Sequence, residues 1–125
     1  MEKQSIAIVG LGEVGSAFLA ELLDQPNNGV EIIAVVENDE TPGLELARAS
    51  GIRNVSIDEL VAMGDSLDIL FDLTYESAVR KELREKLKVS GNRHTIVATE
   101  NIARMILMLI SSGVELPNKS TGTGY

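Results

Sequence analysis

The chain has 125 residues, 44% of them hydrophobic and 24% charged, with a formal net charge of -8 at pH 7. This composition is that of a folded soluble protein, and the length provides one core while excluding a cofactor domain joined to a full substrate domain. The negative charge argues against nucleic acid and membrane partners, and the absence of cysteine excludes disulfides, thiolate metal sites and cysteine nucleophiles.

The N-terminus passes from Met1 through polar residues into a short apolar run that ends in glycines, which is not the pattern of a signal peptide. We therefore expect a cytoplasmic protein with one domain over residues 1–112 and a flexible tail over residues 113–125. The single histidine, His94, cannot build a metal site alone and is expected at the surface. Small molecules or protein partners are the expected ligands.

Short apolar runs rich in β-branched residues alternate along the chain with longer segments of helical period, which predicts βαβ units around a parallel sheet. A helix is expected after each strand, the first over residues 13–23. We expect an α/β fold of the three-layer Rossmann type, with about five parallel strands in the order 3-2-1-4-5 and helices on both faces. The predicted strands cover residues 5–9, 31–36, 54–55, 67–73 and 95–98.

Local signals support two of the predicted helices and give a third its orientation. Thr41 precedes Pro42 as an N-cap, and Ser56 with Glu59 forms a capping box. In the fourth helix one apolar stripe faces the core, and the other positions are expected to form a solvated face. The stripe is Val79, Leu83 and Leu87, and the solvated face is Arg80, Lys81, Glu82, Arg84, Glu85 and Lys86.

A glycine-rich turn fits the pattern G-x-G-x-x-G and stands directly after the first strand, where it opens the first helix. Gly10 permits the tight turn, Gly12 lets the backbone approach a pyrophosphate, and Gly15 lets the helix pack close to the strand. Backbone N–H groups and the positive end of the helix dipole would face the phosphates. The predicted cofactor-binding residues of this turn are Gly10, Leu11, Gly12, Glu13, Val14 and Gly15.

An acidic residue, Glu37, ends the second strand, and both Glu37 and the following Asn38 are predicted to bind the cofactor. Glu37 stands about 22 residues after Gly15, close to the spacing of about 20 expected for the acid that binds the adenosine ribose. Because Glu37 and Asp39 would repel a 2′-phosphate, NAD is the expected cofactor rather than NADP. The alternative is that Glu37 is a surface acid at a strand end.

Thr74 and Tyr75 follow the fourth predicted strand, at the sheet edge where such folds place their ligand. Both are predicted to contact the nicotinamide half of the cofactor. Alternatively, Thr74 caps the helix that begins at Glu76.

Four segments carry a family resemblance, namely residues 6–12, 49–52, 56–60 and 68–74. Together they resemble the N-terminal cofactor domain of the glucose-fructose oxidoreductase and inositol dehydrogenase superfamily, and that of homoserine or aspartate dehydrogenases. The resemblance runs from about Ser5 to Ile110. It implies an NAD(P)-binding domain whose cofactor residues correspond to Gly10, Gly12, Gly15, Glu37 and Thr74.

The sequence departs from both groups after the fifth strand. The first group carries Glu-Lys-Pro there and homoserine dehydrogenase carries Thr-Ala-Asn-Lys, whereas this chain has Thr99, Glu100, Asn101 and Ile102. The functional lysine is therefore replaced by Asn101 or Ile102, and no catalytic residue is assigned.

Three functions are consistent with this sequence. The first is a non-catalytic NAD-binding module that reports on the cofactor or regulates a partner. The second is the cofactor half of an NAD-dependent dehydrogenase whose substrate half is on another chain or outside this sequence, since hydride transfer needs a wall that holds the substrate. The third is a Rossmann fold used only for protein contacts.

The predicted helix over residues 100–112 is apolar on nearly all sides, with Arg104 as the only charge among residues 102–110. A helix on a sheet needs one apolar stripe, so this helix has apolar side chains to spare. The tail offers little apolar surface to cover them. We therefore expect a homodimer, or a complex with another protein, built on this helix.

Overall fold

The computed structural model describes residues 3–25 and 29–110, and they form a parallel sheet with helices on both faces. The predicted α/β fold of Rossmann type is confirmed. In chain order the elements are β1 (Gln4–Val9), α1 (Glu13–Leu23), β2 (Val30–Val36), α2 (Pro42–Ala49), α3 (Ile57–Ala62), a 3-10 turn (Gly64–Ser66), β3 (Ile69–Asp72), α4 (Ser77–Ser90), β4 (Ile96–Thr99) and α5 (Glu100–Ile110).

Four strands, in the order β2-β1-β3-β4, form the sheet within the described residues, where about five were expected. The third predicted strand, residues 54–55, is reduced to an isolated parallel bridge between Asn54 and Val35. Val35 accepts from the N–H of Val55 at 2.8 Å and donates to the carbonyl of Arg53 at 2.9 Å. The segment lies on the expected outer side of β2, but it is too short to continue the ladder because the α3 cap follows at Ser56.

Two cores separate the three layers. On one face α1, α2 and α5 cover the sheet, and Phe18 of α1 packs against Phe71 of β3 with ring centroids 4.7 Å apart. On the other face α3 and α4 supply Leu60, Leu83 and Leu87. Alternate residues of β1 enter opposite cores, as expected for a strand buried on both sides.

The predicted caps form as expected. Thr41 Oγ1 accepts the N–H of Leu44 at 3.1 Å, and Ser56 and Glu59 exchange both bonds of the capping box. These interactions involve residues three apart in sequence, so a local pattern was sufficient to predict them.

The expectation that Arg80 lies on a solvated face is wrong. Arg80 is 3% exposed, because the buried stripe of α4 runs through Arg80, Leu83 and Leu87 at helical spacing. The sequence presents an arginine where an apolar residue would be expected, and the compensating partners lie on other elements.

His94 lies at the surface, as predicted. Its Nε2 is 2.6 Å from Asp68 Oδ1, and the hydrogen bond to Asp68 raises the pKa of His94 above the ordinary histidine value. Asp68 also accepts the N–H of Ser5, at the amino end of β1. His94 is therefore at the end of the sheet opposite the carboxyl edge, where the site described below is built.

Within the described residues no helix is long and apolar enough to cross a membrane. The same part of the chain holds no cluster of His, Asp or Glu side chains suited to a metal ion. The predicted end of the last helix near Ser112 and the predicted tail over residues 113–125 lie outside the described residues.

Candidate functional site

A cleft of about 490 Å³ opens at the carboxyl ends of β1, β2 and β3. In a doubly wound parallel sheet this edge is where ligands bind. Eight of the ten predicted cofactor residues line the cleft, and the other two, Leu11 and Gly15, are buried and do not line it. The eight are Gly10, Gly12, Glu13, Val14, Glu37, Asn38, Thr74 and Tyr75.

The glycine turn is built so that two of its glycines cannot be replaced without displacing backbone. Gly10 has φ +97°, and a Cβ there would stand 2.9 Å from the backbone N of Thr74. A Cβ on Gly15 would stand 2.0 Å from the carbonyl O of Gly10. The turn and the first helix therefore pack closely, as the roles assigned to Gly10 and Gly15 require.

Gly12 differs from Gly10 and Gly15, the other two glycines of the turn. A Cβ there would meet nothing within 4 Å, and Gly12 lines the cleft. Gly12 is also the N-cap of α1, and as a glycine it has no side chain to cap that helix. The start of α1, which carries the positive end of the helix dipole, therefore borders the cleft through Gly12, Glu13 and Val14.

The Glu37 carboxylate lies over the glycine turn. Oε1 accepts the N–H of Leu11 at 2.7 Å, and Oε2 accepts the N–H of Asp39 at 3.0 Å. Each oxygen retains a lone pair for a further donor, such as a ribose hydroxyl. Leu11, itself fully buried, thus enters the site through its backbone.

Asn54 holds Glu37 in place. Its Oδ1 accepts the N–H of Glu37 at 3.0 Å, and its Nδ2 donates to the carbonyl of Glu37 at 2.9 Å. The sequence pattern of Asn54 predicts only that it lies in a strand, because no short motif connects residues that are 17 positions apart.

The cleft is acidic near Glu37. Asn38 and Asp39 complete this wall, and both are exposed. Arg48, the nearest arginine after Glu37 in sequence, makes a bidentate ion pair with Glu40 at 2.7 and 2.9 Å. A 2′-phosphate at this wall would meet carboxylates.

Thr74 serves the turn before α4 and also lines the cleft. Its Oγ1 donates to Asp72 Oδ1 at 2.7 Å and accepts the N–H of Glu76 at 3.1 Å. The helix begins at Ser77 with Glu76 as its N-cap, so Thr74 is not the N-cap that one alternative assigned to it.

A buried ionic network supports the turn before α4 that contains Thr74. Arg80 pairs with Asp72 at 3.2 Å and also with Glu100, the first residue of α5. Burial by itself lowers the pKa of Arg80, but the hydrogen bonds and charges of Glu100 and Asp72 outweigh it and raise that pKa. Since Asp72 also holds Thr74, the network ties β3, α4 and α5 to the cleft wall.

Arg104 is a cleft residue that sequence reasoning missed. It lies on α5, is 8% exposed, and donates from Nε to the hydroxyl of Tyr75 at 3.2 Å. No short motif connects Arg104 with Tyr75, which lies 29 positions before it, and the sequence presents Arg104 only as the one charge among residues 102–110.

The residues present fit a dinucleotide. The open space at Gly12 admits a pyrophosphate against backbone N–H groups, and the Glu37 carboxylate has acceptors for a ribose diol. The fold and the cleft together define a Rossmann-type dinucleotide-binding domain.

The NAD-binding domain of homoserine dehydrogenase is a family whose model matches residues 10–99 of this chain. The chain belongs to this family, which confirms the NAD-binding class and the resemblance found in the sequence. No curated protein sequence matches the chain.

Several solved structures share the fold. Homoserine dehydrogenase from S. aureus at pH8.5 is 20% identical with a TM-score of 0.57, over 88% of this chain and 30% of that one. The apo scyllo-inositol dehydrogenase from Lactobacillus casei is 17% identical with a TM-score of 0.57, over 87% and 34%. A homoserine dehydrogenase from Thiobacillus denitrificans is 23% identical with a TM-score of 0.54, over 79% and 23%. The chain thus spans a third or less of the length of these homoserine dehydrogenases.

Proposed function

We propose that this chain binds NAD in the cleft at the carboxyl edge of the sheet, as a cofactor-binding or regulatory module. The pyrophosphate lies on the turn from Gly10 to Gly15, and the adenosine ribose lies on Glu37. Thr74 and Tyr75 contact the nicotinamide half. The observation that carries this proposal is the Glu37 carboxylate held over the Leu11 N–H beside the open Gly12.

Isothermal titration of the chain with NAD, NADH and NADPH tests the proposal. We expect both NAD forms to bind and NADPH to bind more weakly, because its 2′-phosphate meets Glu37 and Asp39. The absence of binding by all three would leave a Rossmann fold used only for protein contacts.

Glu37→Ala is expected to weaken NAD binding, because it removes a charge-assisted hydrogen bond of about 1.5–3 kcal/mol. It is also expected to narrow the preference for NAD over NADP, since one repelling carboxylate is gone. Titration of the variant with both dinucleotides measures the two effects. Glu40→Ala is the matched control, because Glu40 is exposed, pairs with Arg48 and is not among the residues that line the cleft.

If Glu37→Ala and Glu40→Ala bind NAD equally well, Glu37 is a surface acid. Thermal denaturation of both variants shows whether the loss of the Leu11 partner has changed the fold itself.

A second candidate function is the cofactor half of an NAD-dependent dehydrogenase, with the substrate half supplied by another chain or by further sequence. The family match favours this candidate. The length of the chain also favours it, because the chain spans a third or less of the homoserine dehydrogenases. An assay of NADH formation from NAD and homoserine tests whether this chain is catalytic by itself. The chain alone is expected to form no NADH under either candidate, and NADH formation would contradict the non-catalytic module and assign the chain catalytic groups of its own.

We also propose that α5 forms the centre of a two-fold interface with a second copy of the chain. Its exposed positions are one polar residue, Asn101, and four apolar ones, Ile102, Met105, Met108 and Leu109. Both charged residues of the helix, Glu100 and Arg104, are buried. An uncharged helix face can pair with its own copy about a two-fold axis, because the same patch then meets itself. A cytoplasmic location is proposed with it.

Met105→Glu combined with Leu109→Lys is expected to give a soluble monomer, because both side chains lie on the outward face, at 51% and 78% exposure. Sedimentation velocity measures the change. Val89→Glu is the control, since it removes an apolar side chain that is 88% exposed on a different helix. A native chain that stays monomeric at high concentration would contradict the dimer.

A further inference from the structure

Acidic side chains outnumber basic ones in the lining of the cleft. Among the described residues, four lining side chains are acidic and one is basic. The acidic ones are Glu13, Glu37, Asp39 and Glu76, and the basic one is Arg104. A dinucleotide brings two negative phosphates into this cleft, so the position of its single lining cation matters for any anionic group that enters.

The fold directs Arg104 inward. α5 begins at Glu100 immediately after β4, and its buried positions are Glu100, Ala103, Arg104 and Leu107. This is the i, i+3, i+4, i+7 spacing of one helix face. The ion pair of Glu100 with Arg80 anchors the first turn, and Arg104 then lies one turn further along the same face.

Tyr75 fixes the guanidinium from the other wall. Its hydroxyl accepts from Arg104 Nε at 3.2 Å, and its backbone has φ +58°. Among the described residues it is the one non-glycine residue with a positive φ. This conformation is uncommon for a bulky side chain and is associated with functional sites. Here it accompanies a tyrosine that bridges the β3–α4 turn to α5.

We propose that Arg104, positioned by Tyr75, binds an anionic oxygen group that enters the cleft. This inference rests on the proposed NAD binding. The group is a phosphate oxygen of the dinucleotide or the carboxylate of a second small ligand held beside it. A phosphate and a carboxylate each present two oxygens, which a guanidinium recognises through two N–H groups. Tyr75 is the partner of Arg104 Nε, so the inferred recognition of the ligand uses the terminal nitrogens of the guanidinium.

Titrations with Arg104→Met test this role and distinguish the two sources. If the phosphate is the source, the variant binds NAD and ADP-ribose about 10- to 100-fold more weakly and leaves adenosine unchanged. If a carboxylate is the source, NAD binding is unchanged. Sodium acetate then raises the melting temperature of the native NAD complex, compared with sodium chloride at equal ionic strength, and this increase is lost in the variant.

Arg48→Met is the matched control, because it removes the same charge from an exposed arginine that pairs with Glu40. It is expected to bind every probe as the native chain does. Tyr75→Phe is expected to give a smaller loss in the same titrations, since the guanidinium stays but loses its holder. Arg104→Lys keeps the charge but lacks the planar guanidinium, so its ligand affinity is expected to lie between those of the native chain and Arg104→Met. It replaces Arg104→Met in the titrations if Arg104→Met does not fold.

Arg104 variants that match Arg48→Met with all probes, while the native chain binds NAD, overturn this inference alone. A native chain that does not bind NAD overturns the proposed function, and the role of Arg104 with it.

Discussion

Gly12→Val is expected to abolish NAD binding while leaving the fold intact. The valine side chain would project into the open space at the start of α1, where the pyrophosphate approaches the backbone. The fold tolerates it because Gly12 has a negative φ of -76° and a Cβ meets nothing within 4 Å. Isothermal titration measures the binding, and thermal denaturation measures the stability.

Gly15→Ala is the informative comparison, since it changes the same turn by a smaller group. Its Cβ would stand 2.0 Å from the Gly10 carbonyl O, so overpacking is expected to cost stability by about 1–3 kcal/mol. The two variants should thus separate binding from folding. Native NAD affinity in Gly12→Val would remove the glycine turn from the site.

Arg80→Met is expected to lower the free energy of unfolding by about 3–5 kcal/mol, because it leaves buried carboxylates without their cation. Asp72 is 0% exposed and Glu100 is 8% exposed, so water cannot replace the guanidinium easily. The variant should also loosen Thr74, which Asp72 holds at 2.7 Å. Urea unfolding measures the loss.

Lys86→Met is the control on the same helix. Lys86 pairs with Asp58 and Glu82, both at 2.7 Å, but its side chain is 38% exposed, and exposed pairs contribute about 0–1 kcal/mol. Equal stability of the two variants would mean that the network around Arg80 does not stabilise the fold.

Patterns that are local in sequence predicted the fold well. The glycine turn, the capping box at Ser56 and the period of α1 each involve residues a few positions apart, and each forms as expected. Strand order followed from the alternation of strands and helices. The third strand was overestimated, because a two-residue run cannot show whether a ladder continues.

Interactions between distant residues were not predictable from a single sequence. Arg80 is of a residue type that is usually exposed, and its partner Glu100 lies 20 positions away. Asn54 and Arg104 enter the site in the same manner, through contacts across 17 and 29 positions. For each of them the side chain is polar, and only the tertiary fold determines that it faces another element.

The most direct test of NAD binding by this cleft is isothermal titration of the native chain with NAD and with NADP under the same conditions. We predict saturable binding of NAD and weaker binding of NADP, because the ribose hydroxyls reach Glu37 while a 2′-phosphate meets Glu37 and Asp39. The absence of NAD binding, or tighter binding of NADP, would contradict this assignment of the site.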